Sequence, residues 1–160
     1  MTPFKSHHIS HISSTSLGRG VLILVRQRLY PTLIPSNPAV EQVWVKLSLG
    51  DHALYVGGAY IPPRSENTVY SRLVDSCTGV ADRLDDYDEM LLMCDLNLPE
   101  IEWHEDDEHL GAFLPVNVAS ESETIIGDGL MGIGCHQLNN MANTYGNVLE
   151  TVFCTGLDKV

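Results

Sequence analysis

The segment from Ala53 to Asp95 constrains the fold most. Ala53–Ile61 is an apolar run of strand length, stopped by Pro62-Pro63 because proline cannot donate to a sheet ladder. Residues 67–87 then place Val69, Leu73, Val74, Cys77, Val80, Ala81, Leu84 and Tyr87 at helical spacings, which makes one apolar stripe. Ser65 or Asn67 is the candidate cap of that helix, and the acidic run Asp85-Asp86-Tyr87-Asp88 ends it. Glu89–Asp95 returns as an apolar strand that ends in a carboxylate. Strand, helix and strand of these lengths form a crossover, so at least part of the sheet is predicted parallel and the fold class is α/β. Just upstream, Val43, Val45, Leu47 and Leu49 alternate with Gln42, Trp44, Lys46 and Ser48. A period of two predicts a strand with one buried face. Gly50-Asp51-His52 is a turn signal that joins this strand to the next as a hairpin.

The flanks are less periodic. Residues 1–18 are rich in Ser, His and Thr and read as a poorly ordered tail, with 19–160 as one partial domain. His7, His8 and His11 cluster in the tail, but no carboxylate or cysteine completes a metal-ligand set there. Val21–Val25 is a continuous apolar run, as expected of a strand buried on both faces. Tyr30–Pro38 holds three prolines and reads as a loop. Residues 99–123 are polar and acidic and read as a long surface loop or short-helix region. Within them Glu102, Glu105, Asp106, Asp107 and Glu108 lack calcium-loop spacing and read as a solvated charge run. Ile125–Leu138 carries four glycines, which weaken any helix. Val148–Cys154 is predicted as the final strand.

Composition narrows the function classes. Hydrophobic residues are 44% of the 160, enough for a packed core. Nine Lys and Arg against 21 Asp and Glu give a net charge of −12. That excludes a basic, phosphate-coating nucleic-acid binder and an electrostatic membrane anchor. No apolar run approaches the roughly 20 residues that span a bilayer. Cys77, Cys94, Cys135 and Cys154 form no CxxC pair, which disfavours a thiol-rich zinc site. Their even number permits two disulfides, yet Cys94 and Cys154 sit in apolar runs and read as small buried hydrophobes. An intracellular location is expected on these grounds.

Polar groups at the strand ends of an α/β sheet are the candidate site, since ligands gather there. Tyr60 stands before the Pro62-Pro63 stop, Asp95 and Asn97 before Pro99, and Glu150 after the Gly146 turn. Asp95 and Asn97 share a side if their strand continues between them. A carboxylate there binds a metal or takes a proton from water, and an amide orients that water or a phosphate oxygen.

Several motifs then recur in one order. They are Gly18-Arg19-Gly20-Val21-Leu22-Ile23-Leu24-Val25, Val43-Trp44-Val45, Ala59-Tyr60-Ile61-Pro62-Pro63, the following helix, Met93-Cys94-Asp95-Leu96-Asn97-Leu98-Pro99, Gln137-Leu138-Asn139 and Gly146-Asn147-Val148-Leu149-Glu150. As a set they resemble the endonuclease/exonuclease/phosphatase superfamily. The nearest likeness is to the apurinic-type endonuclease domain of non-long-terminal-repeat retrotransposon polyproteins. The resemblance implies a two-sheet α/β sandwich with helices outside, and Mg²⁺-dependent phosphodiester cleavage with DNA as partner. It gives Asp95 the role of the acid that orients or deprotonates the attacking water, and of a metal ligand. It places Asn97 beside the scissile phosphate and Tyr60 in contact with it. Glu150 takes the place of the aspartate that orients a catalytic histidine.

The sequence also departs from the pattern. Cys94-Asp95-Leu96-Asn97 stands for Gly-Asp-Phe-Asn, and Leu149-Glu150 for Leu-Asp. The family's early Asn and metal-binding Glu have no match before Arg19, and its closing Ser-Asp-His none after the last strand. The expectation is therefore a retroelement-derived sandwich truncated at both ends, weak or inactive, and poor at holding DNA given the −12 charge. Exposed sheet edges would then favour self-association. The alternative is a non-catalytic acidic protein-interaction module.

Overall fold

The parallel pairing predicted from the crossover is present and sits at the centre of the sheet. A computed structural model describes residues 4–9, by backbone alone, and 20–157. Strand β5 (Ala53–Tyr60) runs parallel to β6 (Glu89–Asp95), and helix α1 (Asn67–Ala81) joins them. Strand β4 (Glu41–Ser48) pairs antiparallel with β5 through the turn at 49–52, as the hairpin signal predicts. The sheet extends to β3 (Thr32–Ile34) on one side. On the other it continues through β10 (Glu150–Cys154), β9 (His136–Gln137), β8 (Phe113–Val116) and β7 (Glu102–Glu105). Strands β1 (Phe4–Ile9) and β2 (Val21–Arg26) form a separate antiparallel ribbon.

Two cores flank the eight-stranded sheet. On one face Trp44, Tyr55, Met90, Leu92 and Phe153 pack with Tyr70, Leu73, Cys77 and Val80 of α1. Helix α2 (Glu121–Gly132) adds Ile126 and Leu130 to this layer. On the other face Ile23 and Val25 of the ribbon pack on Val43, Val45, Leu47 and Val56. The result is a two-sheet α/β sandwich with its helices outside, as the resemblance implied. Among the described residues no helix is long and apolar enough to cross a membrane.

Several local expectations are corrected. Residues 4–9, read as tail, pair with β2; backbone pairing needs no apolar side chain, so a Ser/His-rich strand is admissible. The side chains of His7 and His8, and all of His11, lie outside the described residues. β2 is buried on one face only, since no layer among the described residues lies beyond the ribbon, and Leu22 and Leu24 are exposed. β4 is instead buried on both faces. Its polar Gln42 is satisfied inside, donating to Asn37 O at 3.1 Å and Ser76 Oγ at 2.9 Å and accepting from Trp44 Nε1 at 3.0 Å. The proline-rich segment yields the short edge strand β3, where missing N–H groups cost least.

Helix α1 stops at Ala81, because Arg83 and Leu84 switch to tighter bonds onto Val80 and Ala81. Its N-cap is Glu66, without a side-chain cap. Asn67 turns instead to α2, donating to Glu121 and accepting from Ser122. Segment 99–123 holds β7 and β8 as well as loop. Helix α2 forms despite its glycines because Ser120 and Glu123 close a capping box. Gly129 also serves packing: a Cβ there would lie 2.7 Å from Val74 Cγ1, so α1 and α2 meet through this gap. All four cysteines are free, and burial pushes the Cys135 thiol up to about 12.

Close approach, rather than backbone freedom, decides the glycine substitutions. Gly57→Ala and Gly129→Ala should each cost about 1–3 kcal/mol through overpacking. Gly79→Ala meets nothing within 4 Å and should gain roughly 0.5–1 kcal/mol from helix propensity. Urea denaturation of the three variants measures this, and equal costs at all three positions would refute the packing account.

Candidate functional site

The sheet register brings the chemistry-bearing strand ends into one row. Tyr60 is the parallel partner of Asp95, and Asp95 is the antiparallel partner of Glu150. Glu41 continues the row as the partner of Tyr60. By strand alternation this row belongs to the ribbon-side face, since Val56 and Val43 of the same strands pack there. Pairing runs past the strand ends: Ile61 N donates to Asp95 O at 2.9 Å and Leu96 N to Leu149 O at 3.1 Å. The ends are thereby held in step.

Asp95 and Asn97 meet by a turn and not by strand continuation. The strand ends at Asp95, and Asn97 takes the left-handed backbone, φ 50°. Asn97 N then donates to Asp95 Oδ1 at 3.2 Å, a carboxylate turn of the kind its side chain favours. Asn97 Nδ2 donates to Ile61 O at 2.9 Å, tying the amide to the Tyr60 strand. An amide nitrogen has a second hydrogen to offer a ligand.

The carboxylates stand in different surroundings. Asp95 is half-buried, and burial raises its carboxyl above the usual range. The hydrogen bonds from Asn97 oppose that shift, and the nearby Glu150 charge adds to it. Glu150 itself is exposed. Glu41 is buried, and its Oε2 has no hydrogen-bond partner among the described residues. The four residues proposed from sequence thus lie together, Tyr60, Asp95 and Glu150 by register and Asn97 by the turn.

A shallow depression of about 380 Å³ opens at the Asp95–Glu150 end of this row, lined also by Met93, Asn139 and Val152, while Tyr60, Asn97 and Glu41 lie outside its lining. Asn139 is the addition, standing where Gln137-Leu138-Asn139 meets the strand end. Its Nδ2 donates to Glu150 O at 2.7 Å, and the Gln137 side chain bonds the Asn139 backbone in both directions. Its signal was the quoted tripeptide, which periodicity does not explain. A second hollow, of about 430 Å³, lies between residues 99–104 and 140–148 and contains none of the four.

A further group was missed by sequence. Asp106, His109 and His136 each offer a ligand atom within 4.8 Å of the others. Only topology joins them, since His136 lies on another strand.

The raised Asp95 carboxyl fixes a sign. The folded chain holds that proton more tightly than the unfolded one. Its contribution to stability is full below the ordinary aspartate range and is lost as pH rises through the folded value. Asp95→Asn should therefore raise the melting temperature at neutral pH and change it little near about pH 3, where the wild-type group is already neutral. Thermal unfolding at both pH values tests this; a neutral-pH destabilisation would contradict it.

No family model and no curated protein matches the sequence. Solved structures do. The endonuclease domain of TRAS1, a telomere-specific non-LTR retrotransposon, superposes with a TM-score of 0.53 at 14% identity over 95% of this chain and 67% of that one. The human Nocturnin catalytic domain, solved with a bound sulfate anion, gives 0.54 at 8% identity over 95% of this chain and 60% of that one. This chain thus spans about two thirds or less of either domain. Identities this low speak for the fold alone. These superpositions show that this chain has an α/β fold of the endonuclease/exonuclease/phosphatase type.

Proposed function

We propose that the chain is a phosphodiesterase-like domain that hydrolyses DNA phosphodiesters weakly with a divalent cation. The observation that supports this is the row Tyr60–Asp95–Glu150, with Asn97 tied to it. The row suits the chemistry. Asp95, half-buried and held above its usual range, is poised to accept a proton from water. Asn97 orients that water or a phosphate oxygen through its remaining N–H. Tyr60 donates to the phosphate from the neighbouring strand end. Glu150 adds negative charge beside Asp95.

The donor set fits Mg²⁺. Asp95 and Glu150 are oxygen ligands side by side, and no Lys or Arg stands in their row. They are the residues that would hold the ion. A bound cation would supply charge neutralisation at the phosphate. A net charge of −12 opposes DNA, which accounts for a weak activity. A retroelement origin agrees with the TRAS1 likeness.

Two readouts test the proposal. Mn²⁺ or Mg²⁺ should raise the melting temperature of the wild type, and the shift should fall on Asp95→Asn and on Glu150→Gln. Slow nicking of supercoiled DNA should drop about 100-fold on Asp95→Asn. Nicking that survives the substitution, or the absence of both the shift and the nicking, would sink the reading.

A second reading, an acidic protein-interaction module, draws on the apolar face of β6 and β10 that the ribbon leaves open. Met93 is 43% exposed there. Concentration-dependent self-association with no response to divalent ions would favour it.

A further inference from the structure

The far end of the sheet carries a second chemical cluster that phosphodiester chemistry does not use. Cys154 pairs with both Leu91 and His136, whereas Glu150 pairs with Asp95. Four residues of strand put His136 ~13 Å from the Asp95 row. The turn between β7 and β8 folds back beside it, because Phe113 of β8 pairs with Gln137.

Backbone bonds fix that turn. Asp106 N donates to Ala112 O at 2.9 Å, and Ala112 N to His109 O at 3.0 Å. Within it Asp106 Oδ1 accepts from Glu108 N at 2.8 Å, and Asp106 Oδ2 lies 2.8 Å from His109 Nδ1. The His109 ring sits over the His136 ring, centroids 4.4 Å apart and planes at 50°. Ligand atoms of all three residues fall within 4.8 Å of one another. The side chains of Asp106 and His109 are only 6% and 24% exposed, so neither is a freely rotating surface group. The Glu108 N–H and His109 hold the Asp106 carboxyl below its usual range, so it is an anion at neutral pH.

We propose that Asp106, His109 and His136 form a binding site for a zinc-class divalent transition metal. Two imidazoles and one carboxylate are the donor types of Zn²⁺ and Co²⁺, and nitrogen donors disfavour Mg²⁺ and Ca²⁺. Two elements present the ligands already converged, so binding orders little that folding has not ordered. Three protein ligands leave a coordination position for water, the pattern of an open zinc site rather than a closed structural one. Glu105, Asp107 and Glu108 are exposed acids next to Asp106 and His109 in the chain, and their negative charge favours cation capture.

The test uses the full chain with His7, His8 and His11 replaced by Ala, so that these N-terminal histidines cannot report. Titration with Zn²⁺ should show one equivalent bound and a rise in melting temperature, unaffected by excess Mg²⁺. Co²⁺ should give visible d–d absorption that one equivalent of Zn²⁺ removes, without a thiolate-to-metal band in the near ultraviolet. His136→Ala should weaken Zn²⁺ binding at least tenfold, and His109→Ala in the turn should do so independently should the strand variant fold poorly. Asp95→Asn should leave it unchanged, which separates this site from the phosphodiesterase reading. Undiminished affinity in both histidine variants, no saturable binding in the chain lacking His7, His8 and His11, or a thiolate band pointing to Cys154 would each overturn the proposal.

Discussion

Two consecutive glycines in the middle of β5 set the thickness of the whole molecule. A Cβ at Gly57 would lie 2.6 Å from the Trp44 ring, and one at Gly58 would lie 2.6 Å from Val21 Cγ1. Successive residues of a strand face opposite sides, so the pair opens a slot on each face at the same level. On the helix side the slot admits the largest fully buried side chain, Trp44, whose indole N–H reaches Gln42. On the other side it admits the ribbon. Glycine weakens a strand interior, and here the close approach of both layers offsets that cost. Both cores meet at this strand.

The same strand transmits position to the site. Because β5 and β6 are parallel and linked by α1, their ends arrive at the same edge. Asp88 secures the opposite end, its Oδ1 accepting from Ala53 N at 2.6 Å and its Oδ2 from Asp85 N at 3.3 Å. A slip of β6 by one residue would turn Asp95 to the helix face beside Phe153 and expel Met90, Leu92 and Cys94 from that core. The site therefore depends on register more than on any loop. Asn97 is the exception, and its left-handed backbone is held by two hydrogen bonds, to Asp95 and to Ile61.

What the sequence made legible follows from which signals are local. The hairpin, the crossover helix and β6 rest on local periodicity and apolar runs, and all three form where those signals put them, although the helix ends at Ala81 and not at Tyr87. Burial was misjudged wherever it depended on a distant layer. Val21–Val25 looks doubly buried, yet nothing among the described residues covers Leu22 and Leu24. Gln42 looks solvent-facing, yet Ser76 of α1 and Asn37 satisfy it inside. Helix α2 was obscured because glycine propensity is local, whereas the Val74 contact that uses Gly129 is not. The row of Tyr60, Asp95, Asn97 and Glu150 was reached through motif order. The Asp106–His109–His136 cluster escaped because 27 residues and two strand pairings separate its last two members.

The net charge of −12 acquires a structural meaning once the acids are located. Asp95 and Glu150 are adjacent in the sheet with no basic residue in their row, so a cation is the economical way to relieve their repulsion. At the other end Asp106 is already stabilised as an anion by an N–H and an imidazole. The two ends therefore differ in hardness. Oxygen donors alone at the Asp95 row suit a hard, hydrated ion, whereas imidazole nitrogen at the His136 end suits a borderline one. A chain with both would sort cations by donor type, since overall charge attracts every cation alike and cannot discriminate between them.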